Sequence, residues 1–220
     1  MKKLSPILLN RIIVALSLAI FLVGAMDYWF FTVEDAYISF RYCDHMLQGR
    51  GLVFNPGEPV EGYTNFLWIM TIALTRLAVP FPLAAKLPGF IFGMALILML
   101  GRWRMDTKTY SCAGPLAALL TAACPGVQMW AVAGLETILF SLCITAGFLS
   151  AARTTLSARM ISGLLFGLAT LTRPEGILFF GVFLVVELVP FPGRKQAIGA
   201  AVAGFCLVVI PHQIFRVIYY

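Results

Sequence analysis

Val33-Glu34-Asp35-Ala36-Tyr37-Ile38-Ser39-Phe40-Arg41-Tyr42, running on to Asn55-Pro56-Gly57-Glu58-Pro59-Val60-Glu61-Gly62-Tyr63-Thr64-Asn65-Phe66-Leu67-Trp68, is a polar, acid-bearing island in an otherwise lipid-soluble chain. Carboxylates are costly in or beside a bilayer, so several of them gathered after the first hydrophobic segment require a functional or topological reason. Any chemistry belongs in or beside this island.

The rest of the chain sets the class. Of 220 residues, 60% are hydrophobic and only 12% charged, with a mean hydropathy of +0.91, which places the protein among all-α polytopic membrane proteins. The first span, residues 12–31, follows Lys2, Lys3 and Arg11, is too long for a signal-peptide core, and has no small-residue cleavage site before the island, so it reads as an uncleaved helix. Further apolar segments cover residues 83–100, 110–127, 130–152, 160–172, 174–189 and 196–215, giving about seven spans in all.

Charge placement orients them. Arg102, Arg104 and Lys108, then Arg153 and Arg159, then Arg194 and Lys195 occupy alternate turns, and the positive-inside rule puts them in the cytoplasm with the amino terminus. Glu34, Asp35, Asp44, Glu58, Glu61, Glu136 and Glu175 then collect outside, with Asp106 and Glu187 nearest the cytoplasmic face. The net charge of +6 is dispersed at segment ends, with no aromatic-basic surface, so it reports topology and excludes nucleic acid as a partner. Cys112, Cys124, Cys143 and Cys206 lie in apolar segments and Cys43 stands alone in the island, so neither a disulfide framework nor metal-ligand spacing appears.

Residues 64–79 are apolar enough to span, but counting them would invert the side of the Arg102–Lys108 turn. They are expected instead as an interfacial or re-entrant helix, with the Trp68 indole and a snorkelling Arg76 at the membrane surface. The outer loop thus covers about residues 32–82. Within it, Ala36, Phe40, Cys43 and Leu47 fall on one helical stripe that suits a helix lying flat on the membrane, with Arg41, Asp44 and Gln48 opposite. Asp35, Ser39, Tyr42 and Met46 run along the border between those faces. Gly49, Gly51 and Asn55-Pro56-Gly57 end the helix and reverse the chain, returning Glu61 and Tyr63 toward it.

Each candidate side chain has a structural reading beside the functional one. Thr32-Val33-Glu34-Asp35 has the form of a capping box, which needs no catalysis. A general base requires a carboxylate near a hydroxyl with its basicity raised, and Glu34 beside Asp35 supplies a like charge. Adjacent carboxylates also suit a hard divalent cation, but two acids without a third clustered ligand are a weak case, and no metal or other cofactor is expected. Thr172-Arg173-Pro174-Glu175 sets a guanidinium and a carboxylate at a segment junction: a phosphate clamp, or a well-formed turn with proline and acid in the first helical turn. Glu136, in Gly134-Leu135-Glu136-Thr137, carries the same ambiguity. His45 and His212 have no partners at ligand spacing and read as structural.

Glu34-Asp35-Ala-Tyr-Ile-Ser-Phe-Arg41-Tyr, Gly51-Leu-Val-Phe-Asn-Pro-Gly-Glu58, Val60-Glu-Gly-Tyr-Thr64, Gly134-Leu-Glu-Thr137 and Leu171-Thr-Arg-Pro-Glu-Gly176 together resemble the GT-C superfamily of membrane glycosyltransferases, in its bacterial arabinofuranosyltransferase branch. The resemblance covers almost the whole chain, as a single amino-terminal module. It implies a multi-pass enzyme of the bacterial cytoplasmic membrane, with an outward-facing first loop, that transfers a sugar from a polyprenyl-phosphate donor to a cell-envelope glycan or lipid acceptor, with inversion. By carry-over, Asp35 deprotonates the acceptor hydroxyl and Glu34 orients it, Arg173 neutralises the departing lipid phosphate with Arg41 as a second candidate, and Glu61, Tyr63, Glu136 and Glu175 bind sugar. Relatives of this kind commonly show two aspartates where this chain has Glu34-Asp35, and they continue past the position of Tyr220, so truncation is expected. A noncatalytic module that binds polyprenyl lipids or scaffolds another enzyme is the alternative. A transporter fits less well, since no internal repeat or midplane polar site is visible.

Overall fold

The computed structural model describes residues 6–103, 112–153, 155–187 and 193–220. Lys2, Lys3, Arg104, Asp106 and Lys108, and the segment ends expected at residues 110 and 189, lie outside the described residues. Among the described residues the fold is all-α: α1 (Pro6–Asp27), α2 (Ala36–Leu47), α3 (Phe66–Arg76), α4 (Leu83–Arg102), α5 (Ala113–Ala122), α6 (Pro125–Val132), α7 (Thr137–Ala151), α8 (Leu156–Thr172), α9 (Gly176–Val186) and α10 (Arg194–Tyr219).

By length and composition, α1 from Ile7, α4 and α10 are each sufficient to cross a membrane. A fourth crossing is available if α5 and α6, bent by 64° at their junction, act as one span. The bend falls where Pro125 opens α6: proline has no N–H for the preceding turn and fits the first helical position instead. The expected segments at 130–152, 160–172 and 174–189 become α7, α8 and α9, of 15, 17 and 11 residues. At about 1.5 Å per residue these fall short of a core of roughly 30 Å. Of the about seven segments anticipated from hydropathy, three helices, or four with the bent pair, are long and apolar enough for a crossing among the described residues. Trp130 belongs to α6, because the turn at 133–136 cuts the apolar run that hydropathy joined.

Three packed pairs, α1 with α4, α7 with α8 and α8 with α9, run antiparallel. Phe21 and Val14 of α1 meet Gly93 and Gly101 of α4, so these two run antiparallel. Glu136, just before α7, pairs with Arg173 at the end of α8, and Arg159 near the start of α8 pairs with Glu187 just after α9. α8 and α10 run parallel, in close contact: a side-chain carbon at Gly163 would collide with the Ala201 carbonyl, one at Gly204 with the Met160 carbonyl, and one at Gly167 would sit 2.9 Å from Val208 Cβ. Small residues four apart let helix backbones approach this closely. Phe166, Phe180, Phe183 and Phe205 fill the adjoining core, with the rings of Phe180 and Phe205 stacked at 4.1 Å. The result is a bundle with two chemically distinct ends. Glu136, Arg173, Glu175 and the α2–α3 region lie at one, while Arg102, Arg153, Arg159, Glu187 and Arg194 lie at the other.

The α2 helix departs from expectation. Ala36, Phe40 and Cys43 are buried, but against Trp68, Ile69 and Ile72 of α3 in a protein core, not against lipid. Leu47 is 41% exposed, and the outer face shows Tyr37 and Ile38. α3 supplies the apolar partner, so α2 has no need of the membrane surface for burial. Arg76 pairs with Asp44 of α2 at 3.6 Å and stands over the Phe81 ring. The bend read from Gly49, Gly51 and Asn55-Pro56-Gly57 is present, with positive φ at Gly49, Gly51 and Gly57 and an isolated Asn55–Glu58 bridge.

Candidate active site

The turn between α6 and α7 organises the acid-rich end. Its successive carbonyls are taken by different parts of the chain: Lys86 Nζ of α4 donates to Val132 at 2.7 Å, the Val33 amide to Ala133 at 3.0 Å, and Trp68 Nε1 of α3 to Gly134 at 3.1 Å. Lys86, buried, also donates to the Phe31 carbonyl, so one ammonium fastens the stretch preceding Glu34 to the carboxyl end of α6, where the helix dipole favours a cation. Gly134 has φ +97°, and a Cβ there would lie 3.0 Å from Ala36 Cβ. Glycine at this position lets the turn lie directly on the start of α2.

From that turn a buried polar chain extends outward. Asn65 Nδ2 donates to Ser39 Oγ at 3.0 Å and to Glu136 Oε2 at 2.9 Å; Arg173 Nε donates to Glu136 Oε1 at 2.7 Å and its Nη2 reaches Thr137 Oγ1 at 3.5 Å. The Glu136 side chain is 7% exposed and that of Arg173 35%, so the pair points a shielded carboxylate inward and a guanidinium toward the rim. A buried charge needs both pairing and hydrogen bonds, and Glu136 has both. Four motifs distant in sequence are thereby joined: Ser39 on α2, Asn65 before α3, Glu136 before α7 and Arg173 after α8.

Asp35 occupies the N-cap position of α2, but its side chain makes no capping bond, and no side-chain cap from Thr32 is formed. The capping-box reading is therefore corrected: the turn is closed by backbone bonds from Ala36, Tyr37 and Ile38 to Val33, Glu34 and Asp35. Asp35 and Glu34 are both exposed, one turn before buried Ser39. Among the described residues no group of three or more His, Cys, Asp or Glu side chains is arranged to hold a metal ion.

The other candidates are placed elsewhere. Glu61 accepts from Arg216 Nη2 at 2.6 Å and Nε at 2.9 Å, tying the loop to the end of α10. Tyr63 is buried against Tyr42, and its hydroxyl lies 3.3 Å from that of Tyr220. Burial and that hydrogen bond raise the Tyr63 pKa above the ordinary phenolic range, so it remains a neutral hydroxyl. Arg41 is bound to the bend, donating to the Phe54 carbonyl at 2.7 Å and to Asn55 Oδ1 at 3.2 Å, with its guanidinium 4.3 Å from the Phe54 ring centre. Glu175 is exposed at the start of α9, two residues after Arg173. The structure thus joins Glu136 to Arg173 in one buried chain, leaves Asp35 and Glu34 exposed a turn before its Ser39, and sets Glu61 and Tyr63 against the end of α10 and Arg41 against the bend.

Three participants escaped the sequence reading: Lys86, Asn65 and Arg216. Lys86 and Arg216 share a signal that was present, since each is a cation on the acid-rich side, against the prevailing charge sorting, and each is paired there. Asn65 gave none, because an asparagine before a helix is ordinary punctuation.

The chain is similar to two curated enzymes, each a terminal beta-(1->2)-arabinofuranosyltransferase: that of Mycobacterium tuberculosis, 28% identical over 210 residues, and that of Corynebacterium glutamicum, 28% identical over 242 residues. The matches cover 85% and 96% of this chain but 32% and 35% of the relatives, so the chain spans about a third of their length. No protein-family profile and no solved structure matches it. The resemblance to the arabinofuranosyltransferase branch that the motifs carry is thus found independently by whole-chain comparison.

Proposed function

We propose that this chain is a membrane glycosyltransferase module that moves a sugar, of the arabinofuranosyl class named for its relatives, from a polyprenyl-phosphate donor to a glycan or lipid acceptor at the outer face of the bacterial cytoplasmic membrane. The observation that carries it is the buried Ser39–Asn65–Glu136–Arg173 chain, which starts on α2 one turn after the exposed Asp35 and Glu34. A guanidinium toward the rim suits phosphate, and the two exposed carboxylates are occupied by no structural bond among the described residues. About seven membrane segments, the short ones lying in tilted or thinned bilayer, would place this end outside and open toward headgroups.

In the proposed reaction Asp35 takes the proton of the acceptor hydroxyl as its oxygen attacks the anomeric carbon. The bond from that carbon to the phosphate oxygen breaks, and its electron pair leaves with the lipid phosphate, whose growing charge Arg173 stabilises. Glu34 orients Asp35; Glu136, Glu61, Tyr63 and Glu175 hydrogen-bond sugars; Arg41 meets headgroup phosphate from the bend. A single displacement inverts the anomeric carbon. Comparing the configurations of donor and product therefore reports whether Asp35 serves as base or as the nucleophile of a two-step, retaining exchange.

The test is sugar transfer by membranes containing the chain. Transfer that disappears in Asp35→Asn while the protein remains folded supports the proposal. Unchanged turnover in that variant removes the catalytic assignment and leaves a noncatalytic lipid-binding module as the reading.

A further inference from the structure

Asn65 stands at the N-cap of α3, where an asparagine ordinarily accepts a hydrogen bond from the first helical turn. It makes no such bond; both amide hydrogens go elsewhere, to Ser39 Oγ and Glu136 Oε2. Glu136 is an acceptor only, which fixes the amide orientation: nitrogen toward the carboxylate, oxygen away from it. That oxygen is buried, in a residue only 9% exposed, and has no donor among the described residues. A helix cap is thus forgone, and a buried acceptor is left open within two hydrogen bonds of Arg173.

We propose, resting on the glycosyltransfer reading above, that Asn65 Oδ1 accepts a hydrogen bond from a hydroxyl of the donor sugar, forming a sugar-reading subsite beside the Arg173 phosphate site. The chemistry selects the ligand class. An amide oxygen cannot bind an ionised phosphate, whose oxygens only accept, whereas a hydroxyl donates to Asn65 and keeps its lone pairs for a donor such as Arg173. Glu136 couples the two functions through its own two oxygens, Oε1 holding Arg173 and Oε2 holding Asn65.

The experiment is equilibrium binding to the purified chain in lipid nanodiscs, with probes that share one short polyprenyl tail. They are the bare phosphate, its arabinofuranosyl ester, and the 2-, 3- and 5-deoxy forms of that ester. One deoxy form should bind wild type about five- to tenfold more weakly than the parent, the size of one hydrogen bond. In Asn65→Leu that difference should vanish, so that the parent ester and the deoxy form bind alike. A deoxy series that binds wild type uniformly overturns the inference, and needs no variant to fold; a penalty that persists in Asn65→Leu overturns it too. Wild type that binds neither sugar ester nor bare phosphate overturns the glycosyltransfer reading itself, a result distinct from uniform binding of the deoxy series.

Discussion

Asp35 makes no capping bond and is exposed, so Asp35→Asn should leave thermal stability within about 0.5 kcal/mol of wild type while lowering sugar transfer on the order of 10²- to 10⁴-fold. Glu136 should behave in the opposite way. Glu136→Ala strands the buried Asn65 amide and frees the Arg173 guanidinium at the rim, which should cost about 1–3 kcal/mol. Glu175→Gln, at an exposed helix start, should change little, and thermal unfolding in detergent compares the two. Cys43 provides a pH test. Burial, with a smaller contribution from Asp44, pushes its thiol from 9.0 up to about 11, so the native thiol stays protonated where an unfolded one ionises. Stability from this group is complete below pH 9 and is lost as pH rises toward 11; its thiolate is scarce at neutral pH, and maleimide labelling of native protein at pH 7.5 should miss it. At this scale the acids and Arg173 were legible in the sequence because charge in an apolar chain is conspicuous. The pairing of Glu136 with Arg173 across 37 positions was not, since only packing of α7 on α8 creates it.

The elements succeed or fail on close approach. Gly134 combines a positive φ with near contact to Ala36, so Gly134→Val should destabilise by more than the roughly 1 kcal/mol of a backbone penalty alone, and should impair transfer by lifting the α6–α7 turn off α2. Along α8, Gly163→Leu cannot be accommodated against the Ala201 carbonyl without parting α8 from α10, and reduced yield of folded protein is the expected reading. Helix existence was largely legible from hydropathy. Helix boundaries were not: Pro125 and the Ala133–Glu136 turn divide runs that are continuously apolar. The face of α2 was read in the right periodicity but with the wrong partner, because a one-dimensional stripe does not distinguish lipid from α3.

At the scale of the molecule, antiparallel packing of α8 with α7 and α9 gathers the candidate site at one end and Arg153, Arg159 and Glu187 at the other. This polarity follows from charge sorting, which is why the sequence anticipated it. Which end faces the cell exterior decides the proposed function, because the proposed reaction requires a polyprenyl-linked sugar and an envelope acceptor to be met there. The most direct measurement is impermeant-maleimide labelling of intact spheroplasts, with Cys112, Cys124 and Cys206 replaced by serine and a single new cysteine at Gly57 or at Arg153, both exposed. The account predicts that Gly57→Cys labels in intact cells and Arg153→Cys only after permeabilisation; the reverse pattern would contradict it.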